Sequence, residues 1–184
     1  MRFESARSDM FKIIGGTILT LFVLGYSAKP DDIQTNGKVC SNPLAPCQSM
    51  KWQFRDYDLS FKLPPNLKWL NNYRSATFYA VILKSQRAIQ DPDGPAGAGE
   101  CSGYVSEAER KRVQALFPTR KVFASRFGCG SPGVWYTDVN ADYNFLAVYA
   151  GETQASANTF LQTIRSTFPG SNTRRMQVVL DYGD

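Results

Sequence analysis

Two runs of apolar residues stand out along the chain, and each is followed by a stretch with helical spacing. Thr77 to Lys84 (TFYAVILK) and Tyr143 to Ala150 (YNFLAVYA) are nearly unbroken, of strand length, and rich in β-forming residues. Runs of that length and composition predict strands buried on both faces. After the first run, Ser106 with Glu109 three positions on makes a capping box. Val113, Leu116 and Phe117 then follow at helical spacing up to Pro118. After the second run, Gly151-Glu152-Thr153 turns the chain into a helix whose Ala157, Phe160, Leu161, Ile164 and Phe168 form one apolar stripe before Pro169. Lys121 to Phe127 (KVFASRF) alternates as a strand behind the first helix, and Thr173 to Tyr182 forms one behind the second.

The order strand–helix–strand therefore occurs twice. Ala80-Val81 aligns with Ala147-Val148 and Phe117-Pro118 with Phe168-Pro169, and the longer spacing in the first copy is taken up by the Gly- and Pro-rich loop 86–103. Two such units in tandem predict an α+β fold, a ferredoxin-like βαββαβ two-layer sandwich with both helices on one face of the sheet. Trp52, Phe54, Leu59, Phe61 and Leu63 alternate with polar groups, so residues 51–63 predict an additional N-terminal strand or hairpin, stopped by Pro64-Pro65. Leu67, Trp69 and Leu70 read as a short packed connection, and Val134–Val139 as a further strand. Residues 29–50, with Pro30, Gly37, Pro43 and Pro46, read as a linker. The organisation is thus a segment 1–28, a linker 29–50 and a single α+β domain 51–184, whose repeated core spans 76–182.

The segment 1–28 places Arg2, Arg7 and Lys12 before an apolar stretch from Ile13 to Tyr26, followed by Ser27, Ala28, Lys29 and Pro30. That layout predicts a signal peptide or a signal anchor, with residues 29–184 outside the cytosol. The stretch is short beside the roughly 20 residues that cross a bilayer comfortably. Both fates, cleaved and retained, stay open. Cys40, Cys47, Cys101 and Cys129 suit an oxidising compartment, and their order favours Cys40–Cys47 around a short Pro-containing loop with Cys101–Cys129 between two longer ones. Each bridge would stabilise by roughly 2–4 kcal/mol. Zinc is the competing use of four cysteines, but no C-x-x-C spacing and no histidine support it.

Composition narrows the chemistry. With no histidine, a Ser-His-Asp or Cys-His site cannot be assembled from this chain, and the reading is a non-enzymatic protein without a cofactor or metal. The net charge of +5 is mild, and no basic run interleaved with aromatics points to nucleic acid. Gly94 to Gly99 (GPAGAG) is glycine-rich but lacks the Lys-Ser/Thr ending of a phosphate loop. Asp56 and Asp58 share one face of the predicted 51–63 strand, and read as solvated edge charges rather than a catalytic carboxylate pair. Arg110, Lys111 and Arg112 read as a solvated helix face, with anionic lipid or an acidic partner as the alternative.

Alternation separates the two faces of the predicted sheet. If Val81, Leu83, Leu146 and Val148 face the helices, then Phe78, Ala80, Ile82, Phe145, Ala147 and Tyr149 face away, and Arg175, Gln177 and Val179 join them. Phe78, Phe145, Tyr149, Arg175 and Gln177 on one open face could stack on and hydrogen-bond to sugar rings. An uncovered apolar patch of that size is unusual, and the opposing reading is that residues 51–63 cover it and the aromatics are core.

The second unit, YNFLAVYAGETQASANTFLQTIR, resembles the SPOR domain, a bacterial envelope module built from an apolar strand, a Gly-containing turn and an Ala-rich helix. An N-terminal membrane segment followed by a linker is also a setting typical of that family. The glutamine common in the first SPOR strand is absent, and Ala80 and Ile82 occupy that region. The resemblance, over about 76–182, implies a bacterial inner-membrane protein facing the periplasm, or a secreted periplasmic one, that binds peptidoglycan glycan or a division-related partner through its sheet face. The alternative is an accessory subunit of a membrane protein complex, with an envelope protein as partner.

Overall fold

The computed structural model describes residues 34–88, 103–127 and 133–183. The segment 1–28, the cysteines Cys101 and Cys129, and the glycine-rich stretch 94–99 lie outside the described residues. The fold is α+β, with two four-stranded sheets and two helices among the described residues. Its elements are β1 (Gln34–Gly37), β2 (Asn71–Ser75), β3 (Phe78–Arg87), α1 (Glu107–Gln114), β4 (Val122–Ala124), β5 (Val134–Tyr136), β6 (Tyr143–Gly151), α2 (Gln154–Ile164), β7 (Asn172–Met176) and β8 (Val178–Tyr182).

The central sheet runs β4-β6-β3-β7, antiparallel throughout. The two apolar runs form its middle strands, β6 and β3. Val81 pairs with Val148, flanked by Ala80 with Tyr149 and Ile82 with Ala147. These are the equivalent positions of the sequence repeat, so the two strand–helix–strand units meet about a local two-fold. Ser106 Oγ accepts from Glu109 N at 3.2 Å to cap α1, while the Glu109 carboxylate pairs with Lys84 at 3.0 Å instead of closing the box. Thr153 Oγ1 caps α2 in the same way, accepting from Ser156 N. Val81, Leu146, Val148, Val113, Ala157 and Ile164 bury the helix side, with Phe117, Phe160, Leu161 and Phe168 packed around them.

The other side of the central sheet is covered by a second sheet, β1-β2-β8-β5. Phe78, Ala80, Ile82, Phe145, Ala147 and Met176 pack there against Tyr73, Val134, Tyr136, Val178 and Leu180. The antiparallel pairings β2 with β8 and β3 with β7 continue one another, so a single two-stranded ribbon bends from one sheet into the other. At the corner Ser75 Oγ accepts from Val178 N at 2.9 Å and Gln177 Nε2 donates to Ser75 O at 2.8 Å. The predicted last strand, Thr173 to Tyr182, is therefore two strands in two sheets.

Residues 51–63 contain no strand; they wrap the β4 edge in extended turns, joined to the rest by an isolated β-bridge, Val39 with Phe61, and by hydrogen bonds such as Ala124 N to Tyr57 O at 3.0 Å. Tyr57 packs on the helix side, whereas Leu59 and Phe61 reach the core between the sheets. Part of the region read as linker, Gln34–Gly37, is built into the fold as β1, parallel to β2. A Cβ on Gly37 would lie 2.1 Å from Lys62 O, so only glycine admits this close approach. Arg110, read as solvated, is 4% exposed: Glu107 holds it by two bonds and its Nη1 donates to Val122 O at 3.2 Å. Lys111 and Arg112 are exposed. No helix among the described residues is long and apolar enough to cross a membrane.

Candidate functional site

Among the clefts on the described surface are two that combine polar and apolar lining residues. The larger, about 610 Å³, lies between the 40–47 loop and residues 48–60. Cys40 and Cys47 are disulfide-bonded with Cα atoms 5.5 Å apart, and Cys40 N and Cys47 N donate to Ser60 O and Ser60 Oγ, both at 2.9 Å. On the far wall sits Asp58. It is 4% exposed, not a solvated edge charge, because the chain turns inward at this point and seats Leu59 and Phe61 in the core. Its Oδ2 accepts from Arg55 N at 2.8 Å, and burial pushes its pKa up to about 6. Burial likewise lowers the pKa of Lys121, whose Nζ donates to Asp56 O at 2.7 Å. Tyr136 Oη, pushed well up by burial, accepts from Leu59 N at 3.1 Å. Asp58, Lys121 and Ser60 thus bind the chain's own backbone, Trp52 Nε1 is buried without a partner, and the exposed side chains of Gln48, Lys51 and Gln53 at the mouth form no hydrogen bond among the described residues. The first three fasten the 40–60 region to the β4 edge. Among the described residues no cluster of three metal-ligating side chains forms.

The smaller cleft, about 410 Å³, opens at one end of the central sheet on the side away from the helices, where the second sheet stops short. Ile82 and Phe145 make its floor, Ser85, Asn172 and Arg174 one wall, and Asp138, Val139, Asn140 and Tyr143 the other. The sequence dictates this placement. Tyr143 and Phe145 lie two apart on β6 and share a face; Asn172 and Arg174 stand opposite Ile82 and Ala80 on β3. The rim turn is fixed by Asp138 at φ 57°, a left-handed value that aspartate tolerates, and by Asn140 Oδ1, which accepts from Asp142 N at 2.9 Å. Tyr143 remains 45% exposed and stacks on no other ring among the described residues. The Arg174 guanidinium and the Asn172 carboxamide are exposed and form no side-chain hydrogen bond or ion pair among the described residues. An aromatic plate, a guanidinium and carboxamides around an apolar floor can stack on a ring and hydrogen-bond to hydroxyl or carboxylate oxygens.

Of the five residues expected on an open face, one reaches this cleft. Phe145, 3% exposed, forms its floor while packing on Tyr136. Phe78 is 1% exposed and stacks on Tyr149 with centroids 5.8 Å apart, so both belong to the covered part of the sheet. Gln177 is engaged at the corner between the sheets. Arg175 stands opposite Tyr79, which packs on the helix side, so the arginine that shares the intended face is Arg174. Tyr143 was legible as the head of the alternation 143, 145, 147, 149; Arg174 was not, because the apolar run Val178 to Leu180 gives no parity.

No protein-family model matches the chain, and neither a curated protein nor a solved structure matches it.

Proposed function

We propose that this chain is a non-catalytic module of the bacterial cell envelope that binds a saccharide strand, of the kind found in peptidoglycan, in the cleft at the end of its central sheet. Tyr143 supplies the stacking surface, Arg174 and Asn172 the hydrogen bonds, and Phe145 with Ile82 the floor. The observation that carries this reading is the cleft: the Tyr143 ring, the Arg174 guanidinium and the Asn172 carboxamide converge there, and neither Arg174 nor Asn172 has a side-chain partner among the described residues. The order β4-β6-β3-β7 with a helix after β3 and after β6, and the local two-fold, fit a ferredoxin-like βαββαβ core of the SPOR kind. On this reading residues 1–28 export or anchor the protein and the domain works outside the cytosol.

Pelleting of the purified full chain with isolated cell-wall sacculi tests the proposal. Saturable co-sedimentation that weakens in Tyr143→Ala and Arg174→Ala supports it. Absence of co-sedimentation, or binding indifferent to both substitutions, overturns it.

A further inference from the structure

The turn before β2 presents two large apolar side chains outward: Trp69 is 65% exposed and Leu70 73%. Both were expected to be packed. The turn is nevertheless held firmly. Tyr73 Oη accepts from Lys68 N at 2.6 Å, and Leu70 N donates to Tyr182 O at 2.7 Å. Leu70 adopts φ 63°, a conformation that a bulky side chain avoids unless its surroundings impose it. Gly183 permits it, since a Cβ there would lie 2.7 Å from Leu70 N. Behind the turn, Tyr182 meets Trp69 edge-on at 5.6 Å and Trp52 at 6.2 Å. Two residues before Trp52, Met50 is fully exposed, and the flanking Lys51 and Lys68 are exposed as well. Trp and Tyr rings backed by a fixed scaffold, apolar tips and lysines with long apolar stems form the residue set that settles at a lipid–water interface.

The topology says why lipid is the occupant. β1 runs parallel to β2 with Gln34 opposite Tyr73, so the chain enters the domain at the same sheet end as Trp69 and Leu70. In sequence, the apolar stretch read as a membrane segment ends at Tyr26, eight residues before Gln34, a reach of at most about 28 Å when fully extended. A domain tethered through that stretch has this corner within reach of the bilayer. We infer that the Lys68-Trp69-Leu70 turn is a lipid-contact tip, with Trp69 and Leu70 entering the headgroup–acyl boundary. This surface is separate from the saccharide cleft, and sacculus binding neither supports nor weakens it.

The test is fluorescence of the full chain reconstituted in phosphatidylcholine vesicles whose acyl chains carry bromine. The chain has three tryptophans, Trp52, Trp69 and Trp135. Quenching by the brominated lipid should fall by more than half in Trp69→Phe and remain unchanged in Trp135→Phe. Leu70→Asp should reduce the quenching of Trp69 several-fold, with near-ultraviolet circular dichroism confirming the fold of each variant. Quenching that is absent in the wild-type chain, whether or not the chain floats with the vesicles, overturns the inference. So does quenching that Trp69→Phe leaves intact. Loss of Trp69 accessibility only on adding an envelope protein fraction would assign the tip to a protein partner instead, and would overturn it equally.

Discussion

The two clefts of this domain hold similar residue types and differ in what those residues already do. Under the disulfide loop, Asp58 accepts from Arg55 N, Lys121 donates to Asp56 O and Ser60 accepts from Cys47 N. At the sheet end, Tyr143, Asn172 and Arg174 point polar and aromatic groups at solvent with no such duties. A cleft whose wall of Asp58, Ser60 and Lys121 is engaged in this way is a seam where a loop is fastened to a sheet. A cleft lined by disengaged groups costs nothing internally when a ligand takes them. Cleft size misleads here, because the larger of the two is the seam.

The largest effect expected from breaking the seam is at Asp58. Its folded pKa, about 6, lies above the usual 3.8. The folded state therefore holds its proton more tightly than the unfolded chain, and stability contributed by the neutral acid falls as pH rises from about 4 to about 6. The shift corresponds to about 3 kcal/mol. Asp58→Asn keeps the shape and an acceptor for Arg55 N while removing the charge. It should raise the unfolding free energy by up to about 3 kcal/mol at pH 7.5 and by only about 1 kcal/mol at pH 4.5. Urea titrations at the two pH values read this directly. A loss of stability at pH 7.5 would mean that Lys121 and Arg126 more than offset the burial of the carboxylate.

Next in size is the disulfide that roofs the same cleft. Removing it in Cys40→Ala/Cys47→Ala frees a short loop in the unfolded chain and should cost about 2.5 kcal/mol by the loop-entropy relation. Sacculus binding by the folded variant should be unchanged. If binding falls along with stability, the two clefts are coupled and the contrast between them fails. In the sheet-end cleft the balance reverses. Tyr143→Ala and Arg174→Ala should each weaken saccharide binding about tenfold, the equivalent of about 1.4 kcal/mol, with little change in the denaturation midpoint. Equal losses of stability and binding would mark these side chains as structural.

The same contrast explains what could be read from sequence. The helices, the two central strands and the division of β3 and β6 into a helix face and an opposite face follow from periods of 3.6 and 2, which are local. The second sheet does not. Asn71–Ser75 (NNYRS) and Gln34–Gly37 (QTNG) carry no apolar alternation, and they become strands only through pairing with β8 and with each other. What covers Phe78 and Tyr149 was therefore invisible, even though their shared face was not. Asp58 and Arg110 fail for a related reason. Their burial depends on Leu59 entering the inter-sheet core and on Val122 O lying beside α1, both contacts between segments distant in sequence. The cleft residue that the pattern did offer, Tyr143, is the one on the same local alternation as Phe145.

The smallest predicted effect is the sharpest test of register. A strand's side chains change faces when the pairing is shifted by one residue, and β7 places Arg174 opposite Ala80 and Arg175 opposite Tyr79. Adjacent arginines of equal charge and similar exposure thus face opposite sides of one strand. Any general attraction of a basic protein for an anionic wall polymer would be weakened alike by losing either one. A cleft that holds its ligand by geometry distinguishes them. Arg175→Ala should leave sacculus binding unchanged and alter stability by no more than about 0.5 kcal/mol, as expected for an exposed residue without a side-chain partner among the described residues. Arg174→Ala should carry the tenfold loss alone. Equal losses from both variants at low salt, abolished for both at high salt, would reduce the saccharide reading to non-specific charge attraction. A loss confined to Arg175 would move the binding surface to the helix side of β7.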